Sequence, residues 1–485
     1  MTDSPAKATP ANGGTRHLGA ARDHCLAPAR TVDASPGYSG KYDRLFPDLP
    51  PLVGEEPLLL SLGRTGGFCD AVAVDQNGAR DDASGPAGWP FFGQFVAHDI
   101  TADRSSLQEH ADPATIHNFR TPRANLECLY GAGPVGSPFL YDRDDPAKLL
   151  IGENDGGRPE DVPRNQQGIA LIGDPRNDVH LFMSQLHVAL LKVHNGLVDR
   201  LREDGVAEAE LFDEAARAAR WHYQWVIVND FLPTIAGAEL MAEIEGKGRR
   251  FYRPDSEGEP YIPFEFADAA YRYGHSQIRH SYRVNADAEG LSVFPDLVGF
   301  RPVPNPRVVD WSQLFDFPST AAPQPAKKID GRLARSLIEL PREITGDVAV
   351  EEYHSLAVRD LLRGQALGLP SGERVADAMG EQALDPGQVG LAECGWEAET
   401  PLWLYVLKES EALTGGEQLG PVGGRIDAEV LLGNIDADPG SYRALERGWR
   451  PTLPATQAGR FEVADLLTFA AGGPASGGGH DGQNA

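Results

Sequence analysis

The sequence predicts a mainly α fold organised as one large domain, and three observations carry that prediction. Residues 181–203 place Leu186, Leu190, Val193, Leu197 and Leu201 at helical spacing. Residues 213–232 follow with Ala216, Ala219, Tyr223, Trp225, Val226 and Val228, a second long helix expected to close at Pro233. Alternating apolar and polar runs long enough for a large sheet are absent from the sequence. The chain has 485 residues, 41% of them hydrophobic and 24% charged, a soluble globular balance with enough length for a large core.

Between its ends the chain shows no repeat and no linker, so the domain is expected to run over residues 41–471. Residues 1–40 are rich in Ala, Pro, Gly and Asp without an apolar period and read as a loose arm. The Gly-rich stretch 472–485 reads as a disordered tail. Up to about Arg176 the chain is crowded with Pro and Gly, which predicts long irregular connections around a few helices. Further helices are expected at 268–279, 350–363, 401–413 and 423–435.

A formal net charge of −27 argues against a phosphate-backbone partner, which needs a basic stripe. The start lacks the apolar core of a signal peptide, and no run approaches the ~20 apolar residues of a membrane span. A cytoplasmic location is the expectation. Cys25, Cys69, Cys128 and Cys394 are far apart and imply neither a zinc site nor a disulfide framework.

The chemistry centres on Trp89-Pro90-Phe91-Phe92-Gly93-Gln94-Phe95-Val96-Ala97-His98-Asp99. On a helix, Gln94 and His98 share one face, with Phe91 and Phe95 on the neighbouring stripe. An apolar helix that shows an amide and an imidazole together has something polar in front of them. Asp99 is either a hard oxygen ligand or a capping group. Three other stretches join this one: Gly173-Asp174-Pro175-Arg176, Tyr271-Arg272-Tyr273-Gly274-His275, and Arg359-Asp360-Leu361-Leu362-Arg363. His187 and His194 are seven apart, but the apolar period around them reads as core. Gly420-Pro421-Val422-Gly423-Gly424 lacks the Lys-Ser/Thr of a phosphate loop and reads as a helix entry near the site.

Taken in order, these stretches resemble the animal-type haem peroxidase superfamily, which includes mammalian peroxidases, prostaglandin synthase and fatty-acid dioxygenases. The resemblance runs from about Lys41 to Ala470. It implies helices around a central haem, with His98 as the distal acid–base, Arg176 as the fixed cation and Gln94 as a hydrogen-bonding partner of water or halide. One neutral imidazole can take a proton from peroxide and return it, and an arginine that cannot deprotonate stabilises charge on the breaking O–O bond. On the other face the resemblance implies His275 as iron ligand and Asp360, where the family commonly has asparagine, as its acceptor. Arg272 and Arg363 are implied as propionate partners.

Departures from the family pattern also carry information. Ala97 and Val179 stand where mammalian members form haem esters, which implies non-covalent haem b. His180 stands at a methionine position and excludes a sulfonium link. Arg272 stands where oxygenase members need a tyrosine, with Tyr271 and Tyr273 each one place off. Thr121, Arg123, Asn125 and Glu127, together with Asp99, resemble a calcium loop, although Asn125 and Glu127 depart from its commoner ligands.

The implied activity is reduction of hydrogen peroxide through a ferryl porphyrin-radical intermediate, with a phenol, aromatic amine or halide as small-molecule reductant. The alternatives are an oxygenase of the same fold acting on a fatty acid or secondary metabolite, and a haem-binding protein without turnover. An ordinary histidine value of ~6.5, lowered by Arg176, predicts that the peroxide reaction falls in acid within about pH 4–8.

Overall fold

A helix of twelve residues, α2 (Trp89–Ile100), runs through the middle of the molecule with ten of its residues buried. Pro90 in its first turn fits a position where a missing N–H costs nothing. The computed structural model describes residues 42–71, 82–102, 116, 118–254, 259–318 and 320–473. The arm expected at 1–40, and the tail beyond 473, lie outside them.

Helices dominate. In chain order the principal ones are α1 (Glu56–Gly63), α2, α3 (Leu181–Glu203), α4 (Leu211–Val226), α5 (Leu356–Ala366), α6 (Leu402–Thr414), α7 (Pro421–Ala437) and α8 (Val463–Ala470). Strands among the described residues form three two-stranded pairs. Tyr42–Asp43 runs parallel to Ile262–Pro263, Asp82–Pro86 antiparallel to Pro325–Lys327, and Ser281–Tyr282 antiparallel to Leu291–Ser292.

The longest predicted helix has the expected limits. In α3 Leu186, Leu190, Val193 and Leu197 are buried, and the helix packs against α4, α8 and α2. Each such leucine removed from water contributes about 1.5–3 kcal/mol.

The second helix departs from expectation, because Pro233 does not close it. After α4 comes a π-helical turn, Ile227–Phe231, in which the N–H of Leu232 reaches Ile227 O, and Leu232–Ala236 then carries Pro233 in its first turn. The wider turn relieves the clash a proline ring makes with the carbonyl four residues back.

Two other expected helices are shorter. In place of a helix over 268–279 there is a 3₁₀ turn, Ala270–His275. Arg272 Nε takes the Ala267 carbonyl at 3.0 Å, which removes that acceptor from a helical ladder, and Gly274 disfavours helix in the next turn. Within 350–363, a short 3₁₀ turn (Glu351–His354) precedes α5. Ser355 caps α5 by accepting the Val358 N–H, and it donates to Gly63 O at 2.6 Å, which ties α5 to the end of α1.

These elements divide around the 3₁₀ turn that carries His275. It touches α2 on one side and α6 and α7 on the other, while α5 packs on α6. No helix among the described residues is long and apolar enough to cross a membrane.

Candidate active site

Helical periodicity places Gln94, Ala97, His98 and Thr101 of α2 and its C-cap on the wall of one cavity. His98 is 6% exposed, and its Nδ1 lies 2.8 Å from Asn177 Oδ1. Asn177 Nδ2 in turn lies 3.1 Å from Nδ1 of the buried His187. With Nδ1–H donated to Asn177, the lone pair of His98 sits on Nε2. Burial, reinforced by Arg176, pushes the His98 value down to about 3, so the ring is neutral through the ordinary pH range.

Arg176 reaches the same cavity from the 3₁₀ turn Pro175–Asp178, which Asp174 caps by accepting the Arg176 N–H at 2.9 Å. The Asp174 carboxylate also grips the guanidinium, at 3.0 Å from Nε and 2.7 Å from Nη2. Arg176 Nη2 donates to the carbonyls of His98 and Thr101 as well. Arg120 Nη2 donates at 2.8 Å to Asp174 Oδ2, the oxygen that Arg176 Nη2 also holds. Burial alone would raise Asp174, but these two guanidiniums hold its carboxyl well below the usual carboxylate range. Gly173 lets this segment approach the 127–128 backbone, since an added Cβ would stand 2.5 Å from Cys128 O.

Across the cavity, His275 Nδ1 lies 2.7 Å from Asp360 Oδ2. Asp360 is fully buried on α5 and does not itself reach the cavity wall. Arg272 bonds Asp360 Oδ1 at 3.0 Å and Asp268 at 2.8 Å, and Arg363 Nε reaches the same Asp268 oxygen at 3.2 Å. Arg272, His275 and Arg363 all line the cavity. Its remaining wall is largely apolar, from Phe91, Phe182, Leu297 and Leu337 among others. The cavity volume is about 260 Å³. That is roughly twenty times what one water needs.

Residues 139–380 match the animal haem peroxidase family model. The chain belongs to that family. It is 24% identical over 224 residues to chorion peroxidase of Drosophila melanogaster, covering 44% of this chain and 26% of that protein. It is 27% identical over 243 residues to human thyroid peroxidase, covering 45% of this chain and 25% of that one. The matched segments therefore span about a quarter of those relatives. Peroxidase A of Dictyostelium discoideum superposes with a TM-score of 0.60 at 14% identity, over 84% of this chain and 90% of that one. A fatty acid alpha-dioxygenase of Oryza sativa gives 0.56 at 14% identity, over 85% and 75%. These two likenesses establish the fold.

Membership in the family implies a haem, and the cavity suits one. Its wall is largely apolar, and of the three imidazoles that line it His98 and His275 each have Nδ1 held by a side chain behind the ring, which leaves their Nε2 for the cavity. Ala97 and Val179 both line the wall, and neither carries a carboxylate for an ester.

The calcium expectation meets a different geometry. Asp99 turns one carboxylate oxygen to the Leu126 N–H at 2.9 Å and the other to the Cys128 N–H at 3.2 Å. Glu127 accepts from Thr121 Oγ1 at 2.8 Å, Thr121 Oγ1 accepts from Asn125 Nδ2 at 3.0 Å, and the Arg123 carbonyl accepts the Asn125 N–H at 2.7 Å. Donors thus face the oxygens a cation would need, and Arg120 adds a positive charge 3.5 Å from Glu127. Among the described residues no group of His, Cys, Asp or Glu is arranged to hold a metal ion. In this arrangement Asp99 takes the capping role, and the loop's side-chain oxygens are engaged by the chain's own donors.

The glycine-rich entry of α7 is also not part of the site. Glu409 accepts the Val422 and Gly423 N–H groups there, and neither residue lines the cavity. Sequence reasoning missed Asn177 and Asp268. Asn177 directly follows Arg176, and the only signal for Asp268 was an acidic residue four before Arg272.

Proposed function

We propose that the protein is a peroxidase with dissociable haem b, reducing hydrogen peroxide at the expense of a phenol, aromatic amine or halide. The observation that carries this reading is a single cavity walled by His98, Arg176 and Gln94 on one side and by His275 on the other. Haem, held by His275 Nε2, would supply the iron for the redox chemistry of peroxide.

The chain's own groups handle protons and charge. His98 Nε2 takes the proton from one peroxide oxygen and returns it to the other, which leaves as water; the neutral, lone-pair-bearing tautomer set by Asn177 suits the first half of that task. Arg176, fixed by Asp174, stabilises negative charge on the parting oxygens without having to reorganise. Asp360 holds the Nδ1 proton of His275 and fixes the ring's orientation. Two phenol or aromatic amine molecules, each giving an electron and a proton, complete the conversion of peroxide to two waters; a halide would instead give an electron pair and take up one oxygen, X⁻ + H2O2 + H⁺ giving HOX and one water.

The test is to titrate purified protein with haem and follow a Soret band, then measure peroxide-dependent oxidation of a phenolic dye. His98→Ala should lower the rate of reaction with peroxide by about 10²–10⁴. A haem-loaded protein inert to peroxide would end this reading. Oxygen uptake without peroxide would favour the oxygenase instead. Against that alternative, Arg272 occupies the tyrosine position, and the hydroxyl of Tyr271 is engaged by Gly93 O at 3.1 Å.

A further inference from the structure

His180 stands on the cavity wall as the N-cap of α3, in extended backbone at φ −153° and ψ 165°. Its neighbour Leu181 is pinned by an N–H bond to Leu297 O at 2.8 Å, and its ring lies edge-on to Phe91 at 5.3 Å and Phe182 at 6.3 Å between centroids. The imidazole therefore has little freedom to turn. Its Nδ1 receives the Met183 N–H at 3.4 Å, a hydrogen shared with the His180 carbonyl at 3.1 Å, and its Nε2 lies 2.8 Å from Gln94 Oε1. Burial pushes its value down to about 3, so the ring carries a single proton.

Those contacts favour one arrangement of hydrogens. A main-chain N–H at Nδ1 requires the lone pair there, so the ring proton is on Nε2 and is donated to Gln94. An amide whose oxygen is taken in this way shows its NH₂ to whatever lies in front of it. No described residue accepts from Gln94 Nε2, and Gln94 lies one turn before His98 on the same helix face. Without a donor at position 180 the terminal torsion of Gln94 is two-fold, and the amide would present oxygen as readily as nitrogen.

We infer that His180 is a positioning residue that fixes the Gln94 amide with its N–H donor toward the cavity, so that the site prefers ligands that accept a hydrogen bond beside His98. The inference rests on the peroxidase reading only for what would be bound; the hydrogen-bond order itself belongs to the chain.

The haem-free protein provides the first test. Nitrogen-15 shifts of the ring should report the Nε2–H tautomer for His180, and the Nδ1–H tautomer would overturn the inference. The second test uses fluoride, an anion that accepts hydrogen bonds, bound to the haem-loaded ferric protein and read by its visible spectrum. His180→Phe, which keeps a ring but removes the donor, should weaken fluoride binding roughly tenfold, the scale of one lost hydrogen bond. His180→Gln, which can donate to the same oxygen, should restore most of that loss. In a Gln94→Leu background His180→Phe should change nothing further, whereas equal losses in both backgrounds would mean a merely structural role and overturn the inference. If no haem is taken up, the peroxidase reading fails while the tautomer measurement still decides this one.

Discussion

Nδ1 of His275 stands 2.7 Å from one oxygen of Asp360, and Nη1 of Arg272 stands 3.0 Å from the other. The carboxylate is fully buried, so its charge is divided between an imidazole and a guanidinium and not shared with solvent. Asp360→Asn keeps an acceptor for His275 but removes the charge. The haem-loaded variant should therefore show a higher ferric–ferrous midpoint potential in spectroelectrochemistry. Asp360→Ala, which removes the acceptor, should cost about 10–100-fold in haem affinity. An unchanged potential in Asp360→Asn would mean that Arg272 already neutralises the carboxylate.

The pH dependence of the peroxide reaction is set by His98. Because the reaction needs the neutral ring and burial lowers its value to about 3, the neutral form persists as pH falls until that region is reached. The rate should be flat from about pH 5 to pH 8, on the acid side of which an ordinary histidine would already have titrated near ~6.5. This moves the acid limb below the window expected from sequence, where the pull of Arg176 was legible but desolvation was not. Stopped-flow rates with peroxide across that range check it, and a limb centred near 6 would show that the ring is solvated in the working protein.

Much of the site was legible because its residues sit in local patterns. Gln94 and His98 share a helix face at a spacing of four, and Arg176 and His275 lie in short motifs. The supports were less legible because they come from elsewhere in the chain. Arg120 reaches Asp174 across 54 positions, and Arg363 reaches Asp268 across 95. The fold obeyed the same rule. Helix α3 has a clean period and came out with its predicted limits, whereas the turn carrying His275 is shaped by the side chain of Arg272 competing for a backbone acceptor, which periodicity does not register.

Asp174 holds two guanidiniums, so its removal should be costly. Asp174→Ala would leave Arg176 and Arg120 as nearly buried cations without their shared partner, a loss of about 3–5 kcal/mol. The wild-type contribution has a definite sign with pH. The folded value lies below the unfolded one, so the stabilisation is present above about pH 4 and is lost as pH falls further. Urea unfolding at pH 7 should show the full difference between wild type and Asp174→Ala, and the gap should narrow below pH 4. A difference under about 1 kcal/mol at pH 7 would place the pair among weakly contributing ion pairs.

Calcium should be dispensable. Asp99 spends both carboxylate oxygens on the N–H groups of Leu126 and Cys128, holding the loop through a residue, Leu126, whose φ of 59° is left-handed and disfavoured for leucine. Burial outweighs those bonds and raises the Asp99 value to about 6. A cation bound only by the folded chain and present at about 100 times its Kd would add about 2.7 kcal/mol. Millimolar calcium, or a chelator, should therefore leave the Tm unchanged within about 1 °C, because the stabilisation that calcium would add is a shift of several degrees. Asp99→Ala, by contrast, should lower the Tm in both conditions equally, since what it removes is the acceptor for two buried amides. A calcium-dependent rise in wild type that disappears in Asp99→Ala would reverse this and assign the loop to metal binding.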